Sequence, residues 1–162
     1  MASEKIVTLR VNGAEVKLVA PAHRTLLEAL RHEGFVEIKC GCEKGDCGAC
    51  AVLLDGEPVD SCITLAWLAE GREVTTIKGL GHPGNPDPLQ KAFIETGGAQ
   101  CGYCTPGMII AARALLNRNP NPTLDDIKKA LSGNLCRCTG YTRIFEAIEL
   151  AADEMRRERK AV

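Results

Sequence analysis

The chain has 162 residues, enough for one ordinary domain or two small ones, and 45% of them are hydrophobic, enough to bury a core. Twenty basic and twenty-one acidic side chains leave a net charge of -1, so the sequence indicates neither nucleic acid nor a membrane surface as a partner. No stretch is apolar enough for a signal peptide or a membrane span, which predicts a cytoplasmic protein.

The first half of the chain predicts a small mixed sheet with one helix. Alternating apolar residues over 6–11, followed by an Asn-Gly turn at 12–13, are typical of a β-hairpin. Thr25 and Glu28 form a capping box at the start of a short helix. Further strands are predicted at 51–54, near 59 and at 74–77.

The segment GLGHPGNPDP at 79–88 concentrates glycine and proline and predicts a linker rather than an element. We therefore expect a first domain over 1–80, a linker over 81–88 and a second domain over 89–162. Helices are predicted at 89–96, 106–117, 124–131 and about 143–159, each with one apolar side, which fits a small bundle. Asp87 and Thr105 are predicted caps ahead of prolines, and Thr123 begins a further capping box.

Nine cysteines and only three histidines indicate that any bound metal is held by sulfur. An odd number of thiols in a reducing compartment argues against disulfides and for metal binding or redox chemistry.

Four cysteines of the first half have the spacing of an iron–sulfur site. Cys42, Cys47 and Cys50 follow the pattern C-x4-C-x2-C, and Cys62 comes after eleven intervening residues. Plant-type ferredoxins use this arrangement to hold a 2Fe-2S cluster. A structural zinc site is the alternative, although zinc ligands usually come as two separated pairs. Cys40 falls outside the spacing and is predicted to be a free thiol.

The second half contains two further pairs, Cys101 with Cys104 and Cys136 with Cys138. On spacing alone these thiols suit zinc as well as an iron–sulfur cluster. The first pair precedes a predicted helix and the second lies between the last two helices, so the four sulfurs can meet at one end of the bundle. The positive end of a helix dipole would favour an anionic cluster there.

The order C-x4-C-x2-C…C, then QCGYCTPG at 100–107, then GNLCRCTGY at 133–141, resembles the two-cluster iron–sulfur subunit of the molybdenum hydroxylases. This is the family of xanthine dehydrogenase, aldehyde oxidoreductase and carbon monoxide dehydrogenase, and the similarity covers nearly the whole chain. The resemblance implies an α+β protein with an N-terminal β-grasp, ferredoxin-like domain followed by a C-terminal four-helix-bundle domain. Each domain would hold one 2Fe-2S cluster.

The resemblance also implies an electron path from a molybdenum pterin on a large partner subunit, through both clusters, to FAD on another partner or to another acceptor. Gln100 and Cys138 match positions that approach the pterin. Tyr103 stands where phenylalanine is common, a difference not expected to alter ligation.

No catalytic residues are expected on this chain, which begins and ends like a separate subunit; the expected assembly is a dimer of heterotrimers. The alternatives are a freestanding two-cluster ferredoxin-type carrier and a zinc-stabilised adapter.

Overall fold

The computed structural model describes residues 4–160, and in that range it contains five strands, six α-helices and one short 3-10 helix, Ala66–Ala69. The strands are β1 (Glu4–Val11), β2 (Ala14–Pro21), β3 (Ala51–Leu54), β4 (Glu57–Asp60) and β5 (Glu73–Thr75). The helices are α1 (Leu26–His32), α2 (Ile77–Leu80), α3 (Pro88–Glu95), α4 (Thr105–Arg118), α5 (Leu124–Ala130) and α6 (Thr142–Lys160). The predicted mixture of α and β structure is confirmed.

The five strands form one mixed sheet in the order β2-β1-β5-β3-β4. The predicted hairpin pairs β1 with β2, and Asn12 and Gly13 both adopt the positive φ that its two-residue turn requires. β5 runs parallel to β1, whereas β3 is antiparallel to β4 and β5. Because β3 and β4 pair antiparallel, with Ala51 opposite Asp60, the loop that precedes β3 and the loop that follows β4 lie at the same end of the sheet.

Helix α1 covers the sheet and starts as predicted. The Thr25 side chain accepts a hydrogen bond from the Glu28 N–H, and the Glu28 side chain accepts one from Thr25, which completes the capping box. Leu26 and Leu30 are fully buried in the core that this helix shares with the sheet.

The second half of the chain is helical, and α3 to α6 share a core of their own. The longest helix, α6, buries Ile144, Ile148 and Ala151 on one side, as the spacing of its apolar residues predicts. The caps at Asp87 and Thr123 are confirmed as parts of complete capping boxes. None of the helices within residues 4–160 combines the length and apolarity needed to cross a bilayer.

Three local predictions need correction. Thr105 is not the cap of α4; Cys104 holds that position, and Thr105 is already helical, without a side-chain capping bond at this terminus. The strand predicted at 74–77 ends at Thr75 because the Thr76 side chain accepts a hydrogen bond from the Lys78 N–H and begins α2. The unpredicted helix α2 therefore includes the first two residues of the glycine-rich segment.

The sheet and the helices pack directly on each other through β3 and α4. Leu53 of β3 lies in a buried cluster with Ile110 and Ala114 of α4. One turn earlier in α4, an ideal Cβ built on Gly107 would lie 2.1 Å from the carbonyl oxygen of Gly48, so only glycine fits. This close approach places the first cysteine loop beside the N-terminus of α4.

Candidate metal centres

The first thiol set is built on the loop between α1 and β3. Cys42 and Cys47 lie in this loop and are partly exposed, and buried Cys50 immediately precedes β3. Cys62 follows the end of β4 and is also buried. The thiols meet as two contacting pairs, Cys42 with Cys47 and Cys50 with Cys62. The four residues that the spacing predicted thus form two contacting pairs, an outer and an inner one.

The first cysteine loop, residues 40–50, needs glycine because its backbone turns tightly around the sulfurs. A Cβ on Gly41 would lie 2.7 Å from the Sγ of Cys47. Gly45 and Gly48 have φ values of 82° and 67°, a conformation that other residues rarely adopt. These contacts support the prediction that the glycines allow the loop to fold over its thiols.

Backbone N–H groups of the loop point at the outer pair. Hydrogen bonding from the backbone of Lys44 lowers the pKa of the Cys42 thiol to about 7, and the Asp46 N–H lies 3.3 Å from the same sulfur. Burial instead raises the pKa of the Cys50 thiol to about 12. The N–H groups favour negative charge on the outer sulfur, as ligation to a metal requires.

The second thiol set lies at the N-terminal end of α4. Cys104 is the N-cap residue of this helix, and Cys136 and Cys138 lie between α5 and α6. Exposed Cys101 and Cys138 approach each other to 3.6 Å between their sulfurs, and the partly buried Cys104 contacts Cys136. The four thiols meet at one end of the helical part, as predicted.

Polar groups surround Cys136. Its Sγ lies 3.2 Å from the Thr139 hydroxyl, and its N–H donates to the Tyr141 hydroxyl at 2.9 Å. Burial opposes ionisation of Cys136, but hydrogen bonds from Thr139, from the Cys138 backbone and from the Cys104 side chain together outweigh it, so the pKa of this thiol lies below its ordinary value. The Tyr141 hydroxyl in turn donates to the carbonyl of Asn134 at 3.2 Å.

The two thiol sets are joined by hydrogen bonds between their loops. The Leu135 N–H donates to the Cys47 carbonyl at 3.0 Å, and the Asn134 side chain donates to the Gly48 carbonyl at 3.1 Å. The Tyr103 hydroxyl donates to the Cys40 carbonyl. The sequence does not predict these roles; the signal available in it is that Asn134 and Tyr141 are polar residues beside the cysteines of the motif GNLCRCTGY.

The other two predicted residues lie outside the thiol pairs. Gln100 is exposed beside Cys101, at the edge of the second set. Cys40 is outside both sets; its thiol donates to the Glu43 carboxylate at 2.8 Å, and this hydrogen bond raises the pKa of the thiol.

The donor set fits iron–sulfur clusters. Within residues 4–160, no three metal-binding side chains converge on one point, and the eight thiols form four pairs. Two pairs on either side of a rhomb are what a 2Fe-2S cluster needs, whereas zinc takes four ligands around a single ion.

Family comparisons agree with this geometry. A family described as "2Fe-2S iron-sulfur cluster binding domain" matches residues 9–76, and one described as "[2Fe-2S] binding domain" matches residues 76–149. The small FeS subunit of nicotinate dehydrogenase from Eubacterium barkeri is 45% identical over 148 residues, which are 91% of this chain and 94% of the relative.

Two solved structures extend the comparison. Quinoline 2-oxidoreductase from Pseudomonas putida 86 superposes with a TM-score of 0.90 at 40% identity, covering 95% of this chain and 97% of the matched chain. The aldehyde oxidoreductase from Desulfovibrio desulfuricans ATCC 27774 gives a TM-score of 0.91 at 42% identity over 95% of this chain, but only 17% of that longer chain.

Two different 2Fe-2S-binding domains in one polypeptide define a two-cluster iron–sulfur protein. The chain belongs to the family of iron–sulfur small subunits of the molybdenum hydroxylases, and the resemblance seen in its motifs is confirmed.

Proposed function

We propose that this chain is the electron-transfer subunit of a multi-subunit molybdenum hydroxylase. Substrate is oxidised on a large partner subunit, and the electrons leave through this chain one at a time toward flavin or another acceptor. The main support for this role is that two thiol sets of four cysteines each lie side by side, joined by direct hydrogen bonds between their loops. When bound, 2Fe-2S clusters supply one-electron oxidation and reduction.

The proposed ligands are the eight paired thiols. The first set is Cys42, Cys47, Cys50 and Cys62, and the second set is Cys101, Cys104, Cys136 and Cys138. In each set one pair is more exposed than the other, so one side of each site faces outward while the other is anchored in the fold. That orientation suits a relay, which must receive electrons at one surface and release them at another.

The proposal divides the chain as its motifs suggest. Residues 1–80 would form the β-grasp, ferredoxin-like domain, 81–88 the linker and 89–162 the four-helix-bundle domain. The mixed sheet with α1 packed on it and the separate core of α3 to α6 support this division.

The proposed partners are a large subunit that binds the molybdenum pterin and a subunit that binds FAD, in a dimer of heterotrimers. Exposed Gln100 and the exposed Cys101–Cys138 pair form the face toward the pterin; the side-chain amide of Gln100 offers both donors and acceptors to a heterocycle. None of the nine cysteines, all of which lie within residues 4–160, forms a disulfide, which supports a cytoplasmic location.

Metal analysis of the anaerobically prepared, fully matured chain tests the proposal. Two 2Fe-2S clusters require about four iron atoms and about four acid-labile sulfides per chain. Absence of labile sulfide would overturn the proposal, and about two zinc ions with negligible iron would indicate the zinc-stabilised adapter instead. Purification without associated molybdenum and flavin would favour the freestanding carrier.

The Cys47→Ser variant tests the ligand assignment. We expect one of the two electron paramagnetic resonance (EPR) signals of the reduced chain to disappear, because serine replaces a thiolate but keeps the carbonyl that bonds to Leu135. Cys40→Ser is the matched control and should retain both signals, since Cys40 belongs to neither set. Two intact signals in Cys47→Ser would contradict the assignment.

A further inference from the structure

Tyr103 links the two thiol sets through its side chain. It lies between Cys101 and Cys104, and its hydroxyl donates to the carbonyl of Cys40 in the first cysteine loop. Its ring runs past Gly41, where an ideal Cβ would be 3.9 Å from Cε1. The side chain is 47% exposed, so core burial does not account for its position. The hydrogen bond is its main attachment to the first loop.

A second attachment comes from the other cysteine segment of the same set. Asn134 and Leu135, just before Cys136, donate hydrogen bonds to the carbonyls of Gly48 and Cys47. The Asn134 side chain is only 6% exposed, and its carbonyl is held by Tyr141. The Asn134 attachment therefore cannot rotate freely.

The two attachments act on different parts of the first cysteine loop. Tyr103 holds the start of the loop at Cys40, whereas Asn134 and Leu135 hold its later part at Cys47 and Gly48. One attachment would leave a hinge between the loops, while two fix both their separation and their relative orientation. Each segment that carries the second thiol set supplies one of them.

We propose that Tyr103 is a positioning residue which, together with Asn134, fixes the distance and orientation between the two cluster sites within this chain. The inference rests on the proposed function, because it concerns the sites of the two clusters. It means that the relay geometry is already set before a partner subunit binds.

The test is EPR spectroscopy of the cluster-loaded chain with both centres reduced, combined with amide hydrogen exchange. In the wild-type chain, the magnetic interaction between the centres should be the same in the free subunit and in the assembled complex. In Tyr103→Phe we expect a broader distribution of the strength of this magnetic interaction, because the distance and orientation between the centres vary more. The Leu135 amide should exchange about fivefold faster, as expected when one net hydrogen bond is lost.

Cys40→Ser is the matched control, because it changes the side chain of residue 40 but keeps the backbone carbonyl that accepts the hydrogen bond from Tyr103. It should match the wild type in both measurements. If Tyr103→Phe also matches the wild type, the positioning role is overturned. If Tyr103→Phe loses a cluster, Asn134→Ser is examined by the same two measurements. A broader magnetic interaction with faster Leu135 exchange supports the positioning role, and wild-type values overturn it. Missing labile sulfide in the wild-type chain would instead count against the proposed function itself.

Discussion

Gly48 shows how a single backbone position holds the two halves of the molecule together. Its carbonyl accepts the Asn134 hydrogen bond, and a Cβ added to it would lie 2.4 Å from the Asn134 Nδ2 and 2.6 Å from the carbonyl oxygen of Gly133. Its φ of 67° also disfavours any other residue. Conformation and packing therefore both require glycine, for independent reasons.

The two requirements can be separated by a pair of substitutions. Gly48→Ala should destabilise the chain by roughly 1–3 kcal/mol more than Gly56→Ala, because Gly56 shares the positive φ but has nothing within 4 Å of its added Cβ. Thermal unfolding of the cluster-loaded variants measures the difference. Equal losses of stability would show that the loops can separate at little cost.

Among the helices, the stability of α3 should depend on its N-cap residue more than the stability of α5 does. Asp87 caps α3 and also forms an ion pair with Arg113 of α4, with only 9% and 11% of the two side chains exposed. Thr123 makes a complete capping box at α5, but in an exposed position. The same kind of cap therefore has different consequences in the two helices.

Asp87→Ala should cost roughly 3–5 kcal/mol, because it removes the cap and leaves the Arg113 guanidinium buried without its partner. Thr123→Ala should cost about 1 kcal/mol, the ordinary value of an exposed cap. Urea unfolding of both variants gives the comparison. Asp87→Asn, which can still cap, separates the ion pair from the cap, and a wild-type midpoint in this variant would mean that the ion pair contributes nothing.

Three helix starts are predictable from the sequence because their signals are local. The capping boxes at Thr25, Asp87 and Thr123 each lie within four residues of sequence, and all three are present. The sequence pattern places the start of α4 one residue too late, because Cys104 of the second thiol set occupies the cap position that the pattern gives to Thr105. Here the geometry of the site overrides the local preference.

The whole molecule is held together by contacts across its two halves. Leu53 of β3 is buried against Ile110 and Ala114 of α4, next to the hydrogen-bonded cysteine loops. Local patterns predicted which cysteines belong to each set, but not that the sets adjoin. The bond from Asn134 to Gly48 joins residues 86 positions apart, and such a pairing leaves no periodic or spacing signal in a single sequence.

We expect the two halves to unfold in one transition, with both cluster signals lost at the same temperature. Leu53→Ala should lower stability by roughly 2–5 kcal/mol and separate the two losses, because it removes packing between the halves. Leu30→Ala, buried in the core of the first half, should lower the midpoint while the signals still disappear together. Calorimetry with visible absorption measures both, and separate transitions in the wild-type chain would contradict this expectation.

The contact between Cys101 and Cys138 also makes the chain sensitive to oxidation before its clusters are inserted. Both thiols lie at the surface, 3.6 Å apart, so dissolved oxygen can reach them in a chain that has not yet received iron. Oxidation of this pair to a disulfide by oxygen would leave only two thiols in the second set and prevent cluster insertion. A reductant present during cluster insertion would prevent this oxidation, and a partner subunit that buries the two cysteines would prevent it afterwards.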